Sequence, residues 1–147
     1  MRHIAVVAVL ALAVAAPAQA NDVGQIKVAK GTVHVEREGQ RLPASAGMPI
    51  RQSDRLVTGA DGSAGVTFTD NSLLSTGPNS VLVVDHYTFD TTTHAGKFDA
   101  SLKKGSLAVV SGKIVKQSPG AMRVRTPAAI MGVRGTDFVV QVDEPGK

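Results

Sequence analysis

The sequence contains no cysteine, no tryptophan and only five aromatic residues. The absence of cysteine excludes disulfide bonds, thiolate metal sites, iron–sulfur clusters, cysteine nucleophiles and an ordinary lipoprotein anchor. A nucleic-acid-binding protein would show a basic cluster, often with aromatic platforms for the bases. Here the formal net charge of +4 is modest and spread along the chain, so we predict no nucleic-acid partner. No apolar run reaches the roughly 20 residues that a membrane-spanning helix needs.

The N-terminal segment has the pattern of an export signal. A short basic start precedes an uninterrupted apolar run over residues 4–16, and Ala18-Gln19-Ala20 follows. This order, with an A-x-A cleavage site, is typical of a secretory signal peptide. We predict a signal peptide over residues 1–20 and one soluble periplasmic domain over residues 21–147. In the alternative, the segment stays attached as a membrane anchor.

The remaining chain shows the pattern of β-strands. Apolar residues alternate with polar ones in many short runs, and no window has the spacing of an amphipathic helix. The 15 glycines and 7 prolines fall largely in turn-like clusters between these runs. We therefore predict an all-β, single compact domain of short antiparallel strands, arranged as a sandwich, a barrel or a β-solenoid. Ile114-Val115 is counted among the strand runs.

A weak internal repeat leaves two arrangements open. Gly24–Val28 recurs seven residues later as Gly31–Val35, and Gly105–Leu107 recurs in the same way as Gly112–Ile114. A glycine followed by alternating apolar residues marks a tight turn that enters a strand. Two matched hairpins would explain the repeat, and so would a stacked, coil-like β-arrangement.

Three turn-rich motifs stand out, at residues 54–64, 66–80 and 126–138. In the first, Asp61-Gly62 predicts a hairpin turn, and Asp54 and Thr58 are expected to bind backbone amides at the bend. In the last, Pro127 fixes its own backbone and holds the preceding residue extended. Gly132 and Gly135 flank Val133-Arg134, which predicts backbone angles there that other residues resist.

In this order, the motifs resemble the FecR domain family. The resemblance runs from about Gly31 to Val142 and ends in T-P-A-A-I-M-G-V-R-G-T-D-F, its most specific part. It implies an all-β periplasmic domain that, in the founding signalling proteins, relays the state of an outer-membrane TonB-dependent receptor to a cytoplasmic sigma factor. Many relatives are stand-alone exported domains. The residues that carry the resemblance are Asp54, Thr58, Gly59, Gly62, Phe68, Asp70, Thr126, Pro127, Gly132, Arg134, Gly135, Thr136 and Phe138.

The sequence departs from the architecture of those signalling proteins. We expect no N-terminal cytoplasmic anti-sigma segment and, once the signal is cleaved, no retained transmembrane helix. We therefore expect no direct contact with a sigma factor. A regulatory role would require a second protein that crosses the membrane, and we predict an envelope protein as the partner.

Arg134 has two interpretations. Its guanidinium can brace a turn by binding carbonyls or a carboxylate such as that of Asp54 or Asp137, because the arginine fork suits such geometry. It can also anchor a ligand or a partner. We favour the brace, since a motif flanked by glycines between strands usually serves the backbone. The hydroxyls of Thr126 and Thr136 are expected to cap turns.

A basic group of four residues is the candidate partner surface. Arg123 and Arg125 share one side of a predicted strand, and Lys113 and Lys116 lie in the run before it. The group is either a solvated sheet face, which we favour, or a docking surface for an acidic partner or an anionic envelope polymer. The polar loop from Asp90 to Gly96 is either a variable contact surface or a long hairpin connection.

We predict no catalytic, cofactor-binding or metal-binding residues. His86 and His94 could be combined with Asp85, Asp90 or Asp99, but the spacing is not that of converging metal ligands. No Gly-x-Ser-x-Gly elbow accompanies Asp85-His86, so we reject a hydrolase triad. The leading interpretation is a non-enzymatic exported domain that acts through protein–protein contact. The alternative is a structural or glycan-binding module of the cell envelope.

Overall fold

A computed structural model describes residues 22–134 and 137–142 of the chain. The predicted signal peptide therefore lies outside the described residues. The fold is nearly all β, as predicted, and the described residues form twelve strands and one short helix. These elements are β1 (Asp22–Lys30), β2 (Val33–Arg37), β3 (Gln40–Pro43), β4 (Pro49–Arg51), β5 (Arg55–Thr58), β6 (Ser63–Phe68), β7 (Leu73–Thr76), β8 (Val81–Phe89), β9 (Gly96–Val110), α1 (Lys113–Gln117), β10 (Met122–Arg125), β11 (Ile130–Val133) and β12 (Asp137–Val142).

The long strand β9 joins two half-sheets into one curled sheet. Up to Lys104 it pairs with β8 and β10, and from Gly105 onward it pairs with β7 and β12. Half-sheet A has the order β4, β1, β6, β7, β9, β12. Half-sheet B has the order β3, β2, β5, β8, β9, β10, β11. Every pair is antiparallel except β9–β10, which is parallel and departs from the all-antiparallel prediction.

Gly105 is the residue at which β9 passes from one half-sheet to the other. Its φ of +89° is in the left-handed region that side-chain-bearing residues resist. A Cβ added there would lie only 2.1 Å from the Ser80 hydroxyl oxygen and 2.5 Å from the Ser80 Cα. Close backbone approach and positive φ therefore both require glycine at this bend.

The core lies between the inner faces of the two half-sheets. Alternate residues of the strands point inward, for example Ile26 in β1, Val35 in β2 and Leu107 in β9, and all three are fully buried. Phe68, Tyr87 and Phe98 form an aromatic cluster, with ring centroids 4.5–5.5 Å apart. Such spacing suits tilted and edge-to-face packing, so the cluster contributes more than its buried area alone.

Residues 113–117 form a helix, so the prediction of a strand at Ile114-Val115 is wrong. Both side chains are buried in the core. The backbone N–H of Lys113 donates to the Asp70 carbonyl (2.8 Å), and the N–H of Ile114 donates to the Asp70 carboxylate (3.3 Å). Two adjacent apolar residues fit one turn of a buried helix as well as a strand, and these contacts with the β6–β7 turn favour the helix.

Two local predictions are also corrected. Asp61-Gly62 does not close a hairpin, because β5 pairs with β2 and β8 whereas β6 pairs with β1 and β7. The turn instead carries the chain from half-sheet B to half-sheet A. The Gly24–Val28 repeat does not form matched hairpins either, since β1 and β2 belong to different half-sheets.

Within the described residues, no helix is both long enough and apolar enough to cross a membrane.

Candidate functional site

Asp54 is buried and its carboxylate is fully occupied. The Arg37 guanidinium donates from Nε to Oδ1 (2.8 Å) and from Nη2 to Oδ2 (2.6 Å), and it also reaches the Pro49 carbonyl (3.1 Å). The backbone N–H of Arg51 donates to Oδ2 (2.9 Å). The hydrogen bonds to the carboxylate raise the pKa of Arg37 above its ordinary value. Asp54 thus joins the end of β2 to the β4–β5 turn, and its partner is Arg37 rather than Arg134.

Thr58 fastens the end of β5 to the turn before β8. Its hydroxyl donates to the Gly77 carbonyl (2.6 Å) and accepts from the backbone N–H of Ser80 (2.9 Å). Gly59 follows, and its N–H donates to the Thr32 carbonyl (2.9 Å). Position 62 requires glycine, because a Cβ there would lie only 2.2 Å from the Thr32 carbonyl oxygen.

Asp61, between these two glycines, binds the start of β2. Its Oδ1 accepts from the backbone N–H of Thr32 (3.2 Å). Hydrogen bonds with the Thr32 side chain and with its backbone N–H lower the pKa of the exposed Asp61 carboxyl below its ordinary value. The motif at residues 54–62 is thus held by contacts with Arg37 of β2, with Thr32 before β2 and with the turn before β8.

Asp70 is fully buried at the β6–β7 turn, and its contacts link three elements. Its carboxylate accepts from the Ser72 N–H (3.0 Å), the Ser72 hydroxyl (2.7 Å) and the Ile114 N–H. The Asp70 N–H donates to the Tyr87 hydroxyl oxygen (3.0 Å), which also bonds to the Thr69 hydroxyl (2.8 Å). Burial raises the pKa of Tyr87 to about 12. Phe68, two residues before Asp70, packs in the aromatic cluster.

The C-terminal motif differs from its prediction at Gly132. Gly132 lies in β11 without a positive φ, and a Cβ there would meet nothing within 4 Å, so the expected unusual backbone is wrong at this position. Thr126 caps the β10–β11 turn, where its hydroxyl accepts from the Ala129 N–H (3.1 Å) beside the exposed Pro127. Phe138 is half-buried and packs against the core.

Arg134 is exposed and forms no hydrogen bond or ion pair with any residue that the structure describes. Gly135 and Thr136, which also belong to this motif, lie outside the described residues. The bracing role predicted for Arg134 therefore stays a prediction.

The four basic residues lie on two different elements. Arg123 and Arg125 are exposed on the outer face of half-sheet B. Met122 and Val124, which alternate with them along β10, are buried. Lys113 and Lys116 lie on α1, a helix rather than the strand run that the sequence suggested.

The outer face of half-sheet B is charged next to these arginines. Arg123 is paired in register with Asp99, which is in turn paired with His86. The buried Oδ1 atom of Asp99 has no hydrogen-bond partner among the described residues, and its Oδ2 lies 4.0 Å from the Lys97 ammonium. In the next row Arg125 is paired with Ile130 of β11, whose side chain is 63% exposed. An apolar side chain and two cations therefore lie together at one edge of the sheet.

One cross-strand row on the outer face of half-sheet A contains no charged residue. It runs through Val28, Gly65, Ser75, Ala108 and Val139. Val139 is 75% exposed and lies on β12, the edge strand of this half-sheet. The two half-sheets thus present edges of different chemistry.

The histidines do not converge on a common site. His94 stacks on Phe89 with a centroid distance of 5.9 Å, in the connection between β8 and β9. That connection is the predicted polar loop, and the antiparallel pair β8–β9 makes it a hairpin. Its Asp90 carboxylate accepts from the backbone N–H groups of Thr93 and Thr92, which lowers the pKa of Asp90. In the part of the chain that the structure describes, no three histidine or acidic side chains are grouped to hold a metal ion.

Comparison with known proteins identifies the family. A family model described as FecR protein matches residues 54–147, well over half of the chain. The chain belongs to the FecR family. The match begins at Asp54, later than the Gly31 at which the motif resemblance starts, so β1–β4 lie outside it. No curated protein and no solved structure was found to match the chain.

Sequence reasoning did not find Arg37 or the hydroxyl of Tyr87. Arg37 lies 17 positions before Asp54 and outside any motif, so only the pairing of β2 with β5 shows that the two meet. Tyr87 had a weak signal: it is the one tyrosine of the chain and its side chain is apolar except for a hydroxyl that needs a partner when buried.

Proposed function

We propose that this FecR-family protein is an exported, non-enzymatic domain of the periplasm that binds another envelope protein and takes part in signalling across the envelope. Family membership supports a role related to signalling. The signal-like pattern of residues 1–20 supports export. The TonB-dependent receptor systems implied by the family resemblance are the first place to look for the partner.

The open edge of β11 carries the proposal. Within the described residues β11 pairs only with β10, so one side of its backbone is free to accept a further strand. The edge strands β3 and β4 each contain a proline, Pro43 and Pro49, which removes a backbone donor. At β11 the exposed Ile130 and the neighbouring Arg123 and Arg125 would recognise an extended segment with apolar and acidic side chains.

The proposal is tested by capture from periplasmic extract with the full chain and variants of the edge. We expect Arg123→Glu combined with Arg125→Glu, and separately Ile130→Asp, to abolish retention of a specific envelope protein. Val139→Asp on β12 is the matched control for Ile130, since both side chains are exposed on edge strands. Arg41→Glu, exposed on β3, is the control for the charge changes.

Two results would overturn this proposal. One is retention that the three β11-edge changes leave intact. The other is recovery of glycan alone, with no specific protein, which would favour an envelope module that does not relay signals.

A further inference from the structure

A groove of about 640 Å³ lies on the surface, and none of its lining residues belongs to β10 or β11. Its walls come from the start of β1, the end of β2 with the β2–β3 turn, the β4–β5 turn, the β6–β7 turn and the end of β8. This volume is within the range of about 300–1,000 Å³ that is usual for small-molecule sites. The groove therefore has room for a ligand of a few sugar or amino-acid units.

The cations of the groove are already neutralised by carboxylates of the groove. Arg37 holds Asp54 through two hydrogen bonds, and Arg51 Nε donates to Asp22 Oδ1 (3.2 Å). Arg51 uses only its Nε in this pair and remains exposed. With three carboxylates and two guanidinium groups among its lining residues, the groove has a formal net charge of −1, which disfavours an anionic ligand.

Three polar groups in the groove are free to bind a ligand. The Gln52 Oε1 atom accepts from the Tyr87 backbone N–H (3.0 Å), which fixes the side-chain amide and leaves its NH₂ group to donate. The Ser53 hydroxyl and the Glu38 carboxylate also line the groove. None of these three groups bonds to another side chain or backbone group among the described residues.

The backbone at two of these residues is strained. Glu38 has a φ of +52° and Ser53 a φ of +74°, although neither is glycine. Such conformations cost free energy and are concentrated at functional sites. At Glu38 this backbone is the one that the two-residue loop between the paired residues Arg37 and Gln40 requires. At Ser53 it holds the residue in the β4–β5 turn that lines the groove.

An aromatic wall completes the groove. Tyr87 and the half-buried Phe89 line it two positions apart on β8, so both project from the same face of the strand. Aromatic rings beside separate donors and acceptors are suited to a ligand that has apolar C–H faces and many hydroxyl groups.

We propose that this groove binds a neutral oligosaccharide. Gln52 would donate to a sugar hydroxyl, Glu38 would accept from one, and the Ser53 hydroxyl can do either. A basic peptide could form an ion pair only with the Glu38 carboxylate. The exposed Arg51 in the same groove would repel it. The paired charges and free neutral donors favour the sugar over the peptide.

Tyr87 supplies a reporter in the groove itself. It is the one tyrosine of a chain without tryptophan, so tyrosine fluorescence comes from this residue alone. The full chain is titrated with trimers of β-1,4-linked glucose, β-1,4-linked N-acetylglucosamine and α-1,4-linked glucose, up to about 10 mM. Saturation-transfer NMR on the trimers gives a second readout that does not depend on the tyrosine. We expect saturable binding of at least one trimer, unchanged by added salt.

Substitutions of two groove residues test whether the trimer binds in the groove. Ser53→Gly keeps the left-handed backbone and removes the hydroxyl, and Glu38→Gln removes the acceptor charge. Each should weaken binding of the trimer at least tenfold. Asn79→Gly is the matched control, because Asn79 also has a positive φ (+53°) but does not line the groove. It should leave the affinity unchanged.

Three outcomes would overturn the proposal. The first is no saturable binding of any trimer by either readout. The second is binding that Ser53→Gly and Glu38→Gln leave intact. The third is binding of trilysine, abolished by salt, in place of the sugars, which would make the groove a peptide site.

Discussion

Arg37 and Asp54 form a two-pronged ion pair, with Nε–Oδ1 and Nη2–Oδ2 distances of 2.8 and 2.6 Å. Asp54 is the first residue of the segment that matches the FecR family, and Arg37 belongs to the preceding part of the chain. The pair therefore ties the family segment to strands outside it. Because the Asp54 carboxylate is buried, removal of this partner would leave it buried without a counter-ion.

Arg37→Ala should lower the free energy of unfolding by about 3 kcal/mol, since it leaves a buried carboxylate without its counter-ion. Urea denaturation followed by circular dichroism measures the change. Arg41→Ala is the matched control: the Arg41 side chain is 72% exposed on β3 and lies 4.0 Å from the Glu36 carboxylate, so its loss should change the urea midpoint little. Equal midpoints for the two variants would show that the Arg37–Asp54 pair contributes nothing.

A fragment of residues 54–147 should not fold by itself. It lacks β1, which pairs with β6, and β2, which pairs with β5, together with their outer neighbours β4 and β3. It also loses the buried side chains of Ile26, Val35 and Ile50. We expect poor dispersion in its proton–nitrogen NMR spectrum and no cooperative melting. A dispersed spectrum and a sharp transition would contradict this.

Asp70→Asn should lower the free energy of unfolding by about 2 kcal/mol or more. The carboxylate oxygens face three donors, and an amide places its own NH₂ group against one of them. Thermal melting gives the comparison with Asp90→Asn, in which the carboxylate lies in the exposed β8–β9 loop. We expect the melting temperature to fall far more for the buried position.

Stability should fall at high pH because of Tyr87. Its pKa is about 12 in the folded protein and about 10 in an unfolded chain, so the unfolded state loses the proton first. Protonated Tyr87 therefore makes its full contribution to the free energy of unfolding below about pH 10. As the pH rises toward 12, the free energy of unfolding falls by about 1–2 kcal/mol. Urea midpoints across this window should fall more steeply for the wild type than for Tyr87→Phe. Parallel curves would exclude the tyrosine as the source.

Gly105→Ala should destabilise the fold by about 3 kcal/mol or more, because the new Cβ meets the Ser80 backbone and the φ is positive. Gly132→Ala is the comparison, with open space and ordinary strand backbone. It should be neutral or slightly stabilising, since alanine restricts the unfolded chain. Calorimetric melting of both variants checks the pair of expectations.

The fold class follows from the sequence because period-two alternation is local. Val66 and Phe68 reveal an inward face without knowledge of the strand that they pair with. The pairing itself is not local. Nothing in the Asp61-Gly62 dipeptide shows that β5 and β6 belong to different half-sheets, and a hairpin was the reasonable expectation.

The candidate sites were predicted to different extents for the same reason. Arg123 and Arg125 were identified as one exposed face because their spacing alone defines it. The groove was not identified, since its residues come from five separate parts of the chain and meet only after the half-sheets form. Glu38 and Ser53 give no sequence signal of their positive φ, which arises from the turns that hold them.

The shared strand β9 also sets the order of assembly. Before it is added, residues 22–89 can make only two separate four-stranded ribbons, β3-β2-β5-β8 and β4-β1-β6-β7. Both ribbons lack β9, which pairs with β8 of the first ribbon and with β7 of the second. Each ribbon therefore exposes an unpaired edge that another chain could occupy. Such distant pairings place folding in the range of milliseconds to seconds. The newly made polypeptide is therefore most prone to aggregation in the interval before its last third has docked.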